Sequence, residues 1–488
     1  MKMHSLLLIL FFLCMGQILE SSQVSAFLKE IDHDPSFKNA SLGICVMKES
    51  TGEIILDHHA SKSLVPRSII KLVTTAAILK ELGKNYRFKT KLLMRGEIKE
   101  HTLHGDLVIK GSGDPSLGSS RFTSQNGLLN KWAKEVKKLG ITKITGSIIA
   151  DASCFEKSLT PPTWQYEDIG NYYGVGASGL NYNENFYQIT FSLGKKVGAL
   201  TKILSLSPSI QGLNIVNEVT EGEKGSGDQA YVFGNEFNYN QTIRGTVPTG
   251  KTTFAIKAAV PDPAKLLAEQ FSQALSLEGI TAQSGAVSLY EEQDMDDLSI
   301  ISEKKSDTLL DLITKTHHLS INVYTECFVK KLGKGSLNLG LLKLESFCSS
   351  IGMDIAGVRF ADGSGLSLNN LVTPKSMCEF LRNIRKEPYF DIWKGSLTEF
   401  TKDTKGSMLS YFNSSKFYHR VFAKTGTAKN EKSIMGYLDT ENHGRVIFCV
   451  ICNHYLSSLS SFREKMRSLF SLALTDSSFS NLSVTSSR

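Results

Sequence analysis

The chain reads as an α/β protein of the α+β kind: one antiparallel sheet covered by helices, its sequence split by a large β-rich insertion. Three observations predict this. Strand-like runs stand at the two ends, two in a hairpin over 42–58 and three at about 417–424, 433–439 and 445–453. Helical periodicity fills the stretches around 68–82, 307–332, 375–384 and 460–474. Between the first helix and the second, from 84 to 294, short strand-like runs alternate with Gly, Asn and Ser turns.

Each element has a local reason. Leu42–Met47 is an apolar run, Glu49-Ser50-Thr51-Gly52 carries turn chemistry, and Glu53–Leu56 begins the return strand. Pro66 precedes a helix whose Ile69, Leu72, Val73, Ala76 and Leu79 keep the three-to-four spacing of one apolar face; Gly83 ends it. Within the insertion Lys91–Met94, Leu107–Lys110 and Ser147–Ala150 read as strands, and the glycine-rich Glu221–Asp228 stretch reads as a surface loop. Pro263 opens an amphipathic helix closed by Gly279. The domains expected are a split catalytic unit, 27–83 with 295–475, around an inserted β-rich unit, 84–294. A leader over 1–26 precedes them and a Ser-rich disordered tail, 476–488, follows.

At 488 residues, with 41% hydrophobic and 21% charged residues, the chain has the composition of a globular protein with a full core. The formal charge of +7 is modest, and no Lys/Arg cluster interleaves with aromatics, so nucleic acid is not an expected partner. Lys2 and His4, an apolar run Leu6–Cys14 and a small-residue end at Val24-Ser25-Ala26 have the layout of a secretory signal peptide cleaved near Ala26. That run is too short to span a bilayer, and no integral span is expected in the mature chain. The seven later cysteines are irregularly spaced, which favours buried free thiols over a disulfide framework. Cys449 and Cys452, three apart on a strand, point to opposite faces. His317 and His318 lack a ligand-spaced partner; no metal and no cofactor are expected.

Three short signatures carry chemistry, in a fixed order: Ser68-Ile69-Ile70-Lys71, Ser320-Ile321-Asn322 and Lys424-Thr425-Gly426. Ser68 and Lys71 share one face of a helix start. A serine hydroxyl needs a base, and a lysine kept neutral by burial or by a second cation such as Lys424 can serve. Ser320 can relay a proton, and the Asn322 amide can hold a substrate peptide group. Lys424, Thr425 and Thr427 at a strand end can grip a carboxylate, while Gly426 lets a substrate backbone approach. Each signature alone also fits a plain structural role, as a cap, a solvated lysine or an exposed turn. Together and in this order they describe a serine acyl-transfer site.

At these residues the chain resembles the penicillin-recognising serine enzymes. More narrowly, it is similar to the D-alanyl-D-alanine carboxypeptidase/endopeptidase family of class C low-molecular-mass penicillin-binding proteins (peptidase family S13). The segment Pro66–Leu72 carries this likeness. So do Gly105-Asp106-Leu107 with Gly113-Asp114-Pro115-Ser116-Leu117, and Asp362-Gly363-Ser364-Gly365-Leu366-Ser367 with Asn370–Pro374.

The resemblance implies a penicillin-binding-protein/β-lactamase-like transpeptidase domain acting on peptidoglycan peptides in the periplasm, with β-lactam antibiotics as covalent inhibitors. It implies Ser68 as nucleophile, Lys71 as base, Ser320 as relay and Asn322, Lys424, Thr425 and Thr427 as substrate contacts, with the Ser68 and Thr427 amides as oxyanion hole. It also points to Asp151 as a contact for the amino end of a diaminopimelate side chain. Arg67, where a small residue is usual, and Ile321, where Asp is usual, depart from the pattern. A β-lactamase of the same fold and a non-catalytic wall-binding scaffold are the rival readings. The first lacks an identifiable glutamate for deacylation, and the second has no need of so complete a set of reactive groups.

Overall fold

The computed structural model describes residues 26–194, 196–441 and 443–475. Apart from Ala26 the expected leader lies outside them, as does the expected tail. A six-stranded antiparallel sheet forms the centre of the catalytic unit, in the spatial order Thr398–Glu399, Val421–Ala428, Glu431–Asp439, Arg445–Asn453, Ser41–Lys48, Ile54–His58. The first and last thirds of the chain meet where Ser41–Lys48 pairs along its whole length with Arg445–Asn453.

Period-two alternation sends the residues of each strand to two different cores. Cys45, Met47, Met435, Tyr437 and Cys449 face one core, built with the helices Lys71–Leu82, Leu309–Leu319, Asn322–Leu332, Leu337–Ser350 and Pro374–Asn383. Ile44, Val46, Ile434, Leu438 and Cys452 face the other, closed by a helix over 26–33 and the helix Leu459–Thr475. Cys449 and Cys452 therefore lie on opposite faces, and all seven cysteines from Cys45 onward are free thiols.

The helix Lys71–Leu82 is buried from Lys71 through Leu79 without a break. Its Thr74-Thr75 and Ala76-Ala77 pairs are small enough to let neighbours close on every side. This enclosure removes Lys71 from water.

The insertion contains a seven-stranded mixed sheet and two three-stranded sheets. Its helices Leu128–Lys138 and Pro263–Leu277 pack on the larger sheet, with Trp132 edge-on to Phe271. The strand Leu298–Lys305 pairs with Lys89–Lys99, so the chain is still in the inserted sheet after position 294, where the pattern reading returns it to the catalytic unit. The acidic stretch Glu291–Asp297 has the composition of a linker, but it is only a loop between two strands of that sheet.

Among the described residues no helix is long and apolar enough to cross a membrane.

Candidate active site

Ser68 sits in a 3₁₀ turn, Arg67–Ile70, and the α-helix begins only at Lys71. The sequence pattern predicts an α-helix from Ser68. In the tighter turn, residues three apart eclipse, which aligns the two side chains more closely than α geometry does. Lys71 Nζ lies 3.0 Å from Ser68 Oγ and donates to Asn322 Oδ1 at 2.7 Å and to the Ser364 carbonyl at 2.5 Å. Burial pushes the Lys71 ammonium down to about 7, against the opposing charges of Asp362 and Glu326. Of the two expected causes, burial and a second cation, burial is the chief one. Burial, then the charge of Asp362, pushes the Glu326 carboxyl up to about 8. It accepts the Gly363 amide at 3.1 and 3.2 Å.

The pattern over 307–332 reads as one helical stretch, but the structure breaks it at Ser320, whose φ of 57° is left-handed. The break separates the helices Leu309–Leu319 and Asn322–Leu332 and leaves Ser320 at their junction. A non-glycine residue in this conformation is strained and needs its surroundings to hold it. Lys424 Nζ donates to Ser320 Oγ and to the Thr425 carbonyl, both at 2.9 Å. Burial, then the Lys71 charge, holds the Lys424 ammonium well below the usual lysine range. Asn322 Nδ2 donates to the Tyr173 carbonyl of the insertion at 2.7 Å, which orients its oxygen toward Lys71.

Lys424–Gly426 lies inside a strand, Val421–Ala428, not at the end of one beginning near 417. Alternation of Phe417, His419 and Val421 imitates a strand, but Ser415–Phe417 is a 3₁₀ turn and His419 is left-handed. On the outer edge the short strand Thr398–Glu399 pairs with Ala423 and Phe422, and among the described residues the edge from Lys424 onward has no strand beside it. A Cβ on Gly426 would fall 2.9 Å from the Ser68 amide nitrogen and 2.8 Å from Arg67 Cβ. Only glycine allows the strand to come this close to the Ser68 turn.

Ser68, Ser320, Asn322 and Thr427 line one cleft of about 840 Å³, while Lys71 and Lys424 are buried behind it. Thr425 is a different case: its hydroxyl bonds Ser407, and it is not among the cleft-lining residues. Asp151 does not reach the cleft. Its carboxylate accepts the Ser153 amide at 3.0 Å and hydroxyl at 2.5 Å and pairs with Lys110 at 3.7 Å on the inserted sheet.

The insertion contributes other acids to the wall, Glu167, Asp168 and Glu184, with Tyr172, Tyr173 and Arg121. Burial holds the Asp168 carboxyl above its usual range, against the charge of Arg67. Nothing in the Glu167-Asp168 pair distinguishes it in the sequence except its aromatic neighbours. Arg67 has left-handed backbone, and its guanidinium bonds the buried Glu431 carboxylate and the Leu366 carbonyl, the latter at 2.8 Å.

Residues 24–472 match the D-Ala-D-Ala carboxypeptidase 3 (S13) family. The chain belongs to that family. Membership makes it a serine-type peptidase of the D-Ala-D-Ala carboxypeptidase class.

It is 25% identical over 447 residues to a D-alanyl-D-alanine carboxypeptidase of Actinomadura sp. (strain R39), covering 86% of this chain and 79% of the relative. It is 25% identical over 430 residues to the D-alanyl-D-alanine carboxypeptidase DacB of Haemophilus influenzae, covering 86% of each. The crystal structure of penicillin-binding protein 4 (dacB) from H. influenzae superposes with a TM-score of 0.79 at 23% identity, covering 93% of this chain and 99% of that one. The fold is thus that of a penicillin-binding protein, as the family's motifs led one to expect.

Proposed function

We propose that the protein cleaves peptidoglycan stem peptides next to a terminal D-alanine through an acyl-enzyme on Ser68. The observation that carries this reading is the 3.0 Å approach of a buried Lys71 amine, about half of it neutral at pH 7, to Ser68 Oγ beside a cleft of about 840 Å³. Neutral Lys71 takes the hydroxyl proton as Ser68 attacks the carbonyl of the penultimate residue. Ser320, polarised by Lys424, relays the proton taken up by Lys71 to the departing amine, and water then hydrolyses the acyl-enzyme to free Ser68. The amides of Ser68 and Thr427 receive the developing oxyanion.

Asn322 orients the substrate amide, and Lys424 with Thr427 draws the terminal carboxylate; Gly426 clears the strand edge, and Thr425 supports Lys424 through its carbonyl. The anchor for a cationic end of the stem peptide is Asp168 with Glu167, on the wall that the insertion supplies, in place of Asp151. Penicillin, mimicking the acyl donor, is a covalent inhibitor in this scheme. The N-terminal pattern over 1–26 supports export and action in the periplasm.

Intact-mass measurement after exposure to benzylpenicillin tests the assignment. One stable adduct is expected on Ser68, absent in Ser68→Ala, together with D-alanine release from a pentapeptide by the wild type alone. An adduct that persists in Ser68→Ala sinks it.

A further inference from the structure

Asp362 is the hub of the loop that holds the base. It is completely buried, and its two oxygens accept four donors: the amides of Gly365 at 2.7 Å and Ser367 at 2.6 Å, Asn370 Nδ2 at 2.7 Å and Trp164 Nε1 at 2.9 Å. Three of these donors belong to the loop itself and its continuation. The fourth, the indole of Trp164, comes from the insertion. The loop so shaped presents the Ser364 carbonyl to Lys71 Nζ at 2.5 Å, and Thr74 Oγ1 secures the Gly363 carbonyl at 2.8 Å from the helix side.

The indole is itself held in place. Lys330 Nζ donates to the Ser158 carbonyl at 2.5 Å and the Ala177 carbonyl at 3.0 Å, Ser367 Oγ to Thr163 Oγ1 at 2.8 Å, and Asn322 Nδ2 to the Tyr173 carbonyl at 2.7 Å. The insertion's segment 158–177 is therefore stapled to the catalytic unit on both sides of Trp164.

We infer that Trp164 is a positioning residue through which the insertion sets the orientation and charge environment of the general base. The inference rests on the assignment of Lys71 as base. The indole N–H presents its positive end to Asp362 and neutralises part of that carboxylate's charge. Without it, Asp362 attracts the Lys71 ammonium more strongly, and the loop carrying the Ser364 carbonyl loses a tether. The other charged or titratable groups around Lys71 are Glu326 from the helix Asn322–Leu332, Lys424 from the strand Val421–Ala428, and His317, which bonds Thr75 on Lys71's own helix at 2.8 Å. None of them touches Trp164, so an effect of the indole must pass through Asp362.

The test is the pH dependence of the benzylpenicillin acylation rate in the full-length protein, comparing wild type, Trp164→Phe and Asp362→Asn. Trp164→Phe keeps an aromatic ring for packing and removes the donor. Its acid limb is expected to move up by about half a pH unit, the size of one modest hydrogen bond expressed as a pKa change, with the high-pH plateau retained. Asp362→Asn removes the charge and is expected to move the limb the other way. A Trp164→Phe limb superimposed on that of wild type, or a rate lowered equally at every pH, overturns the inference. Movement of the Asp362→Asn limb upward does so too. If Asp362→Asn does not fold, Trp164→Phe alone decides. A wild type with no Ser68 adduct, or with no acid limb, refutes the assignment of Lys71 itself and this inference with it.

Discussion

With buried Lys71 as the proposed base, the acylation rate should fall tenfold for each pH unit below about 7. An ordinary lysine ionises near 10.5, and at pH 7 only about one molecule in three thousand would carry a free amine. Burial brings Lys71 to about 7, so roughly half the molecules carry one. The shift makes the amine available more than a thousandfold more often at neutral pH. The assay is the rate of Ser68 penicilloylation between pH 5 and 9, quenched and read by intact mass. Expected rates are about a tenth of the plateau at pH 6 and about a hundredth at pH 5. The value of about 7 already includes the upward pull of the Glu326 charge on Lys71. Glu326→Gln, which removes that pull, should move the acid limb to lower pH. A flat profile from pH 5 to 9, or a limb centred above 9, would refute a desolvated lysine as base.

Gly426→Ala should lower acylation about a hundredfold or more with the fold intact, since its Cβ would press on the Ser68 amide; circular dichroism and adduct kinetics together check this. Arg67→Ala should cost about 3–5 kcal/mol in urea unfolding by leaving the buried Glu431 carboxylate without its partner, and Arg67→Ala with Glu431→Gln should recover most of it; a single variant within 1 kcal/mol of wild type contradicts the pairing. Asp168→Asn should raise KM about tenfold for stem peptides carrying a free side-chain amine and leave acetylated ones unchanged, whereas Asp151→Asn should affect neither. Lys424→Met should reduce kcat for D-alanine release at least a hundredfold, read as free D-alanine, because Ser320 loses the donor that polarises it.

Much of the six-stranded sheet and its covering helices was legible because these elements have local causes. The hairpin over 42–58 has an apolar strand, a turn glycine with φ of 82° and a return strand, and the structure pairs them. The nucleophile helix shows its periodicity, and the three signatures are short enough to stay intact whatever surrounds them. What escaped depends on distant neighbours. Ser320 breaks a helix because Lys424, from a remote strand, and its own neighbours hold it in a left-handed turn that no residue type there announces. The outer strand Thr398–Glu399 is two residues long and exists only by pairing with Phe422 and Ala423. Leu298–Lys305 is an edge strand of the insertion with no fully buried residue, so its pattern lacks a strong apolar face. Asp151 and Asp168 are both acids in the insertion, and only tertiary structure places one against Lys110 and the other in the cleft.

The burial that lowers the Lys71 pKa also makes Lys71 a liability to the fold. Its pKa in the folded chain is below the unfolded value, so between about 7 and 10.5 the unfolded chain binds more protons and stability rises with pH. Below pH 7 the whole cost is felt, at most about 5 kcal/mol for a shift of this size. Lys424 carries a cost of the same sign. Two buried amines, with left-handed backbone at Arg67 and Ser320, are retained in a core that would be tighter without them. The surroundings that offset this are the ones that also aim the groups: Asp362 and Glu326 beneath Lys71, and Ser320 and the Thr425 carbonyl around Lys424. Stability and reactivity are therefore coupled through the same hydrogen bonds, and a substitution that relaxes either lysine toward its ordinary pKa should stabilise the protein while slowing its chemistry.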